Sequence, residues 1–369
     1  MSIFLVKNQA VEDIIDIMKK VIQLTTLLLG SVAFATDSLS EAFSQAKVEG
    51  QIRLGAVQSE DDAKKKASTL ALGGELGIKT KAISAISLGA TFYTTNALFG
   101  KNREGMFLGS DKKSYSIVGE AYIQAQLGNS MLRAGRQIID TPFANSDDIG
   151  MIPNTFEGYT LLNQDLPDTK IILAKLDRWS GVDSEIPERF TKLEADGDGV
   201  LMASVIYEGV ENTTLQAWHY RLDEIAINYA EAGYESERFN VGLQYVDQDS
   251  DNRAFGVVAG ANIGDLALST AYNGVEGVVG NGFGGGPFFT SSEDHTIADV
   301  KDQKAVMVGA EYAIDDITLA CTHVEFDKGE NETDYIISYA MDEGLSVDLI
   351  YSDMYGDGKL TRFFVNYNF

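Results

Sequence analysis

Thr361-Arg362-Phe363-Phe364-Val365-Asn366-Tyr367-Asn368-Phe369 are the last nine residues of the sequence. Phe363, Val365, Tyr367 and Phe369 share one parity, and Arg362, Phe364, Asn366 and Asn368 share the other. Side chains of an extended chain point alternately to two faces, so this stretch reads as a strand with one apolar face and one mostly polar face. The same period of two recurs upstream. Tyr115–Gln126 (YSIVGEAYIQAQ) sets Tyr115, Ile117, Ala121, Ile123 and Ala125 against Ser116, Glu120, Tyr122, Gln124 and Gln126. Gly50–Ala56, Leu70–Lys79 and Ile86–Tyr93 alternate likewise, and no convincing amphipathic helix interrupts them.

Extending the pattern along the chain predicts about 18 strands. They fall at 48–57, 70–79, 86–94, 115–126, 131–137, 156–163, 169–176, 199–207 and 214–220, then at 225–234, 239–246, 254–262, 266–273, 305–312, 317–326, 332–340, 345–353 and 361–369. The connections alternate in length. The short ones are 80–85, 127–130, 164–168, 208–213, 235–238, 263–265, 313–316 and 341–344, whereas 58–69, 95–114, 138–155, 177–198 and 274–304 are long. An up-and-down barrel with short periplasmic turns and long outer loops gives this alternation. A β-sandwich has no reason to sort its loops this way, and a β-helix would show a fixed repeat period, which is absent. A chain this long closes around a wide lumen. With a polar face inside, the apolar face must lie in lipid, and strands near ten residues match the bilayer. Tyr93, Tyr207, Tyr234, Tyr272, Tyr312 and Tyr351 sit near strand ends, where aromatic girdles form.

Composition agrees with an exported barrel. Among 369 residues there are 36 Gly but only 5 Pro, which suits many turns and long uninterrupted strands. The single Cys321 rules out an intramolecular disulfide. The net charge of −26 argues against nucleic acid as a partner, since nothing would neutralise a row of phosphates. Met18-Lys19-Lys20, the apolar run Val21–Val32 and Ala33-Phe34-Ala35 have the three parts of a secretory signal peptide, cleaved after Ala35 and exported by the Sec route. Residues 1–17 precede the initiator-like Met18 and read as an upstream extension. The division is therefore 1–35, extension plus signal, and 36–369, a single transmembrane β-barrel.

Arg133–Gly158 reads RAGRQIIDTPFANSDDIGMIPNTFEG. Gly135-Arg136-Gln137, Thr141-Pro142, Asp147-Asp148 and Pro153-Asn154-Thr155-Phe156-Glu157-Gly158 resemble the layout of the OprD family of substrate-selective outer-membrane porins. The resemblance implies an 18-stranded barrel whose third outer loop folds inward and narrows the pore. It also implies passive diffusion of small hydrophilic solutes and ions, with small carboxylates, amino acids or peptides as the substrate range. The sequence departs from the family in its strong acidity and in a Gly-rich seventh outer loop, Gly280–Thr296 (GNGFGGGPFFTSSEDHT).

A channel works through pore width and the charges at its narrowest point. On the inward loop, Asn145, Asp147, Asp148, Thr155 and Phe156 are the expected constriction residues. Alternation places Arg53, Lys79, Arg133 and Arg362 in the lumen, together with Glu49, Glu75, Glu120, Glu311, Asp334 and Asp348. Arg136 lies three residues from Arg133, so both face inward only if a bulge intervenes. Basic wall residues facing acidic loop residues would set a transverse field favouring zwitterions. The closing strand, with Tyr367 and Phe369, resembles the signal read by the barrel-insertion machinery. The expected partners are the bilayer, lipopolysaccharide and small polar solutes, with the chain a homotrimer or a monomer.

No cofactor or metal is expected. Asp247, Asp249 and Asp251, like Asp196-Gly197-Asp198-Gly199, lack the remaining ligands of a Ca²⁺ loop and read as solvated turns. A lipid hydrolase built on a barrel would need a nucleophile beside a base. Only His219, His295 and His323 are available, none in a recognisable motif, and Cys321 falls on the lipid parity. The chain is therefore not expected to be an enzyme. A structural or adhesion barrel, with the long loops as a binding surface, is the other alternative.

Overall fold

The computed structural model describes residues 36–369 apart from 101, 102, 195, 196, 224, 250 and 343. The extension and signal peptide lie outside the described residues. The described residues begin with a short helix, α1 (Thr36–Ser44), which the strand periodicity did not reveal. Its Ala42 carbonyl accepts the Lys81 amide at 3.1 Å, seating it on the first periplasmic turn.

Strands follow in chain order as β1 (Lys47–Glu60), β2 (Lys66–Lys79), β3 (Ile86–Phe99), β4 (Tyr115–Leu127), β5 (Ser130–Gln137), β6 (Thr155–Asn163), β7 (Thr169–Ser180), β8 (Thr191–Lys192), β9 (Val200–Val210) and β10 (Thr213–Leu222). The rest are β11 (Ile225–Glu235), β12 (Phe239–Gln248), β13 (Asn252–Ile263), β14 (Leu266–Glu276), β15 (Lys304–Ile314), β16 (Ile317–Phe326), β17 (Glu332–Asp342), β18 (Leu345–Met354) and β19 (Gly358–Asn368). Each pairs antiparallel with its neighbours, and β1 closes on β19 from Gln51↔Asn368 to Glu60↔Lys359. The two-residue β8 touches only the tip of β7, and β7 pairs directly with β9. Of the 19 strands, 18 therefore form the wall. Closure removes the free edges that lipid would not tolerate.

The strands continue beyond the stretches read from alternation, mostly at the outer end. The expected long loop 58–69 shrinks to 61–65, because β1 and β2 stay paired as far as Glu60↔Lys66. The long outer loops are the second (100–114), third (138–154), fourth (181–199) and seventh (277–303).

Outward residues are apolar and exposed along the wall, among them Ile52, Leu76, Phe92, Leu243, Val308 and Ile337. Tyr367 of β19 and Phe369 just beyond it face out, and Phe369 exchanges backbone hydrogen bonds with Gly50. Tyr207, Tyr234 and Tyr312 are exposed on the outer surface as a girdle requires. Tyr93 is the exception: it is 1% exposed, faces inward and donates its hydroxyl to Glu120 at 3.4 Å.

The interior departs from a uniformly polar lumen. Inward positions in the outer half are apolar where loops dock on them. Phe107, Met151, Ile152 and Phe190 of the loops pack on Val57, Tyr93, Ile117 and Phe364. On the other side Phe143, Phe288 and Ile297 pack on Trp218, Tyr229 and Val246. Alternation within β4 is broken at its pairing with β3, where Thr91 faces Glu120 and Phe92 faces Val118. The bulge at Gly119 turns Tyr115 and Ile117 inward, on the same side as Glu120, Tyr122 and Gln124.

Candidate functional site

The third loop leaves β5 at Ile138, crosses the lumen and returns at Thr155. Its middle is held by the wall. Arg53, an inward residue of β1, donates two hydrogen bonds to Asp148 at 2.7 and 2.8 Å, one to the Gly150 carbonyl at 2.7 Å and one to Asn366 at 2.9 Å. Its guanidinium is thereby consumed by the loop.

The seventh loop lies against the third from the opposite side. Phe283 donates its amide to the Phe143 carbonyl at 2.9 Å, and Asn145 donates its own to the Phe283 carbonyl at 3.0 Å. Gly285 donates to the Asn145 side-chain oxygen at 3.0 Å. The Gly-rich composition is what allows this approach. A Cβ on Gly282, at φ 83°, would stand 2.4 Å from the Phe143 carbonyl oxygen. Arg362, fully buried in β19, donates from Nη2 to Glu293 at 3.0 Å and Asp294 at 3.2 Å, anchoring the far end of the seventh loop.

Between the two loops lies a cavity of about 570 Å³. Asn145, Asp147, Asp183, Glu293, Asp294 and His295 line it, together with Met106 and Ile149. Asp183, from the fourth loop, is fixed by Asn154, whose side-chain amide donates to it at 2.6 Å. Burial, and then the facing Asp183 carboxylate, push Asp147 up to about 7. Burial also raises Glu293 and Asp294, against the lowering effect of Arg362. His295 is raised first by its contact with Glu332.

Asp147 therefore titrates in the neutral range. Its folded value lies above the unfolded one, so the docked loops are favoured at low pH and lose stability as pH rises from about 4 through about 7. Cation preference should move oppositely, because each deprotonation adds negative charge to the cavity. We expect the reversal potential in a fixed salt gradient to shift toward cations between pH 6 and pH 8, and Asp147→Asn to reduce the shift, the remainder coming from His295 losing its proton.

Other sequence-derived residues fall as follows. Asn145 and Asp147 line the cavity, and Asp148 lies beside it, paired with Arg53. Thr155 and Phe156 do not line it. They begin β6 and are buried at 2% and 0%, with Phe156 stacked on Trp179, because the loop lies over them. Arg133 faces inward, stacked 4.2 Å over Tyr122 and donating to Gln124. Arg136, opposite Ala121 in the register, lies 4.3 Å over Phe190 of the fourth loop and donates to Glu157 at 3.1 Å. The expected bulge between them is absent: β5 pairs in unbroken register from Arg133 to Arg136 with both β4 and β6, and Gly135 between them sits at φ 123°. Lys79 is exposed at the periplasmic end of β2. Asp183, Glu293, Asp294 and His295 were not anticipated. The Ser-Ser-Glu-Asp-His run after the glycines was the available signal. Asp249 forms a turn, accepting the Ala226 amide at 2.9 Å.

An 18-stranded barrel with an apolar lipid face, entered by inward loops that leave a charged passage, is an outer-membrane porin, and a passage of this kind sorts small polar solutes. The chain belongs to the OprD family of outer membrane porins, whose sequence profile matches residues 100–292. Comparison with curated proteins finds no matching sequence. Among solved structures it is similar to OpdK of Pseudomonas aeruginosa with vanillate, at 19% identity and TM-score 0.77, over 89% of this chain and 99% of that one. OccK2 (OpdF) of the same organism, in complex with glucuronate, is 17% identical with TM-score 0.74, over 88% and 98%. A BenF-like porin from Pseudomonas fluorescens is 15% identical with TM-score 0.78, over 89% and 99%. Family and fold are those of channels.

Proposed function

We propose that the cavity between the third and seventh loops is the constriction of this porin, and that it passes small cationic and zwitterionic solutes in preference to simple carboxylates. The carrying observation is that Arg53 and Arg362, the wall cations that reach the third and seventh loops, are both held in ion pairs with Asp148, Glu293 and Asp294. Asp147, its carboxyl pushed up to about 7, and Asp183 face the passage without an ion-pair partner among the described residues, so its field grows more negative as Asp147 ionises. Glu75, Glu120, Glu311 and Asp348 add to it along the wall, whereas Glu49 is paired with Lys47. Arg133 and Arg136, held on their aromatic partners, offer a counter-face for the carboxylate end of a zwitterion. Vanillate and glucuronate are the ligands of the two Pseudomonas aeruginosa structures, and the acidic cavity argues for a different preference here.

The same reading has the chain exported by the Sec route, inserted through its closing strand with Tyr367 and Phe369, and seated in lipopolysaccharide, with no catalytic role. The test is the single-channel current of refolded protein in a planar bilayer under a tenfold KCl gradient. We expect a reversal potential of cation sign and a smaller one in Asp183→Asn. An anion-preferring reversal potential would refute the assignment.

A further inference from the structure

Behind the seventh loop lies a second acidic cluster that shares only Asp294 with the lining of the passage. Glu332 and Asp334 are inward residues of β17, exposed by 0% and 1%. Ser352 of β18 is fully buried and stands directly across from Asp334 in the strand register. Asp294 of the loop completes the group. One carboxylate oxygen from each of Asp294, Glu332 and Asp334 lies within 4.8 Å of the others.

The protein does not satisfy this cluster by itself. Glu332 accepts the Asp294 amide at 3.0 Å, and Asp334 accepts the Glu293 amide at 3.3 Å, so each spends one oxygen on the loop backbone. The second Glu332 oxygen meets His295 Nδ1 at 3.0 Å. The second oxygen of Asp334 and the Ser352 hydroxyl are buried with no hydrogen-bond partner among the described residues. Buried polar atoms are rarely left so. Charge is unbalanced as well. In their ionised forms Glu293, Asp294, Glu332 and Asp334 give four negative charges, and Arg362 with a protonated His295 gives two positive ones, the exposed Asp357 beside His295 set aside. Two negative charges remain, and burying them uncompensated is costly.

We propose that Asp294, Glu332, Asp334 and Ser352 bind one Ca²⁺, which pins the seventh loop to the barrel wall. A doubly charged ion cancels the excess, and all four donors are hard oxygens. Oxygens on opposite sides of Ca²⁺ stand about 5 Å apart, whereas Mg²⁺ draws them to about 4 Å. The three carboxylate oxygens, all within 4.8 Å of one another, fit inside the larger sphere. The site lies behind the loop and does not rest on the ion preference proposed above.

The experiment uses full-length mature protein refolded in detergent, free of lipopolysaccharide and stripped with EDTA. Equilibrium dialysis against Ca²⁺ should show one saturable ion per chain, and Ca²⁺ should slow proteolysis within 277–303. Asp334→Asn, which keeps the shape, should weaken binding about tenfold or more, and Ser352→Ala severalfold. Both variants should keep the heat-modifiable migration of a folded barrel. Absence of a saturable site, or unchanged binding in both folded variants, would overturn the proposal.

Discussion

Exchange of Arg53 for Met should release the middle of the third loop from the wall and raise single-channel conductance. Arg53 is 8% exposed and makes four hydrogen bonds, three of them to the loop. Removing one partner of a buried ion pair costs roughly 3–5 kcal/mol. The Asp148 side chain is 44% exposed and regains water, which puts the effect near the lower end, about 3 kcal/mol. That shifts the docking equilibrium of the loop roughly a hundredfold. Met151 and Ile152 remain buried against the wall, so release is confined to the segment around Asp148. We expect conductance to rise about twofold with added flicker, since pore width sets current. The barrel should keep its thermal stability, because the β1–β19 ladder is untouched. Arg133→Met serves as the control, its partners Gln124 and Tyr122 being wall residues. An Arg53→Met channel indistinguishable from the parent would show that apolar contacts alone hold the loop.

Gly282→Ala should part the seventh loop from the third. The residue sits at φ 83°, and its new Cβ would meet the Phe143 carbonyl oxygen at 2.4 Å and two further backbone atoms at 3.0 Å. Backbone neighbours cannot swing aside as a side-chain end does. A left-handed conformation alone costs an L-residue about 1–2 kcal/mol, and the overlap adds to it. The hydrogen bonds joining Phe283 to Phe143 and Asn145 would be lost together. The expected result is a wider, noisier channel and faster proteolysis within 277–303, with the strands unaffected. Gly280→Ala is the matched control: no positive φ constrains it, and its nearest atom would lie at an ordinary 3.7 Å. Equal tolerance of both substitutions would mean that the two loops are not docked in the membrane.

Alternation made the barrel legible because lipid imposes a one-dimensional rule. Every outward residue must be apolar, and side-chain direction follows from position in a strand alone. Ile52, Leu76 and Phe363 could thus be placed outward, and Arg53, Arg362 and Asp334 inward, from the sequence. The same rule failed where a backbone irregularity changed parity. Tyr115 and Ile117 were assigned to lipid, but the bulge at Gly119 brings them inside. Tyr93 looked like a girdle residue and is instead packed beneath the second loop.

Constriction residues were legible only in part, since loops carry no period. Asn145, Asp147 and Asp148 stood out through the family-like stretch between Arg133 and Gly158. Asp183, Glu293, Asp294 and His295 did not, because they reach the cavity from segments tens to more than a hundred residues away. The glycines of 280–286 were visible as unusual, but their purpose depends on the third loop lying against them.

Strand number, the parity of most wall residues and the kinship with OprD porins were set by the sequence itself. Each follows from local geometry in a medium that tolerates no exposed polar backbone. Which charges face the passage was decided only by the tertiary structure. Arg53 meets Asp148 across 95 residues of chain, and Arg362 meets Glu293 across 69. Whether an inward arginine steers a solute or anchors a loop depends on what the fold places within about 3 Å of it, a distance at which a charge is neutralised and not merely screened.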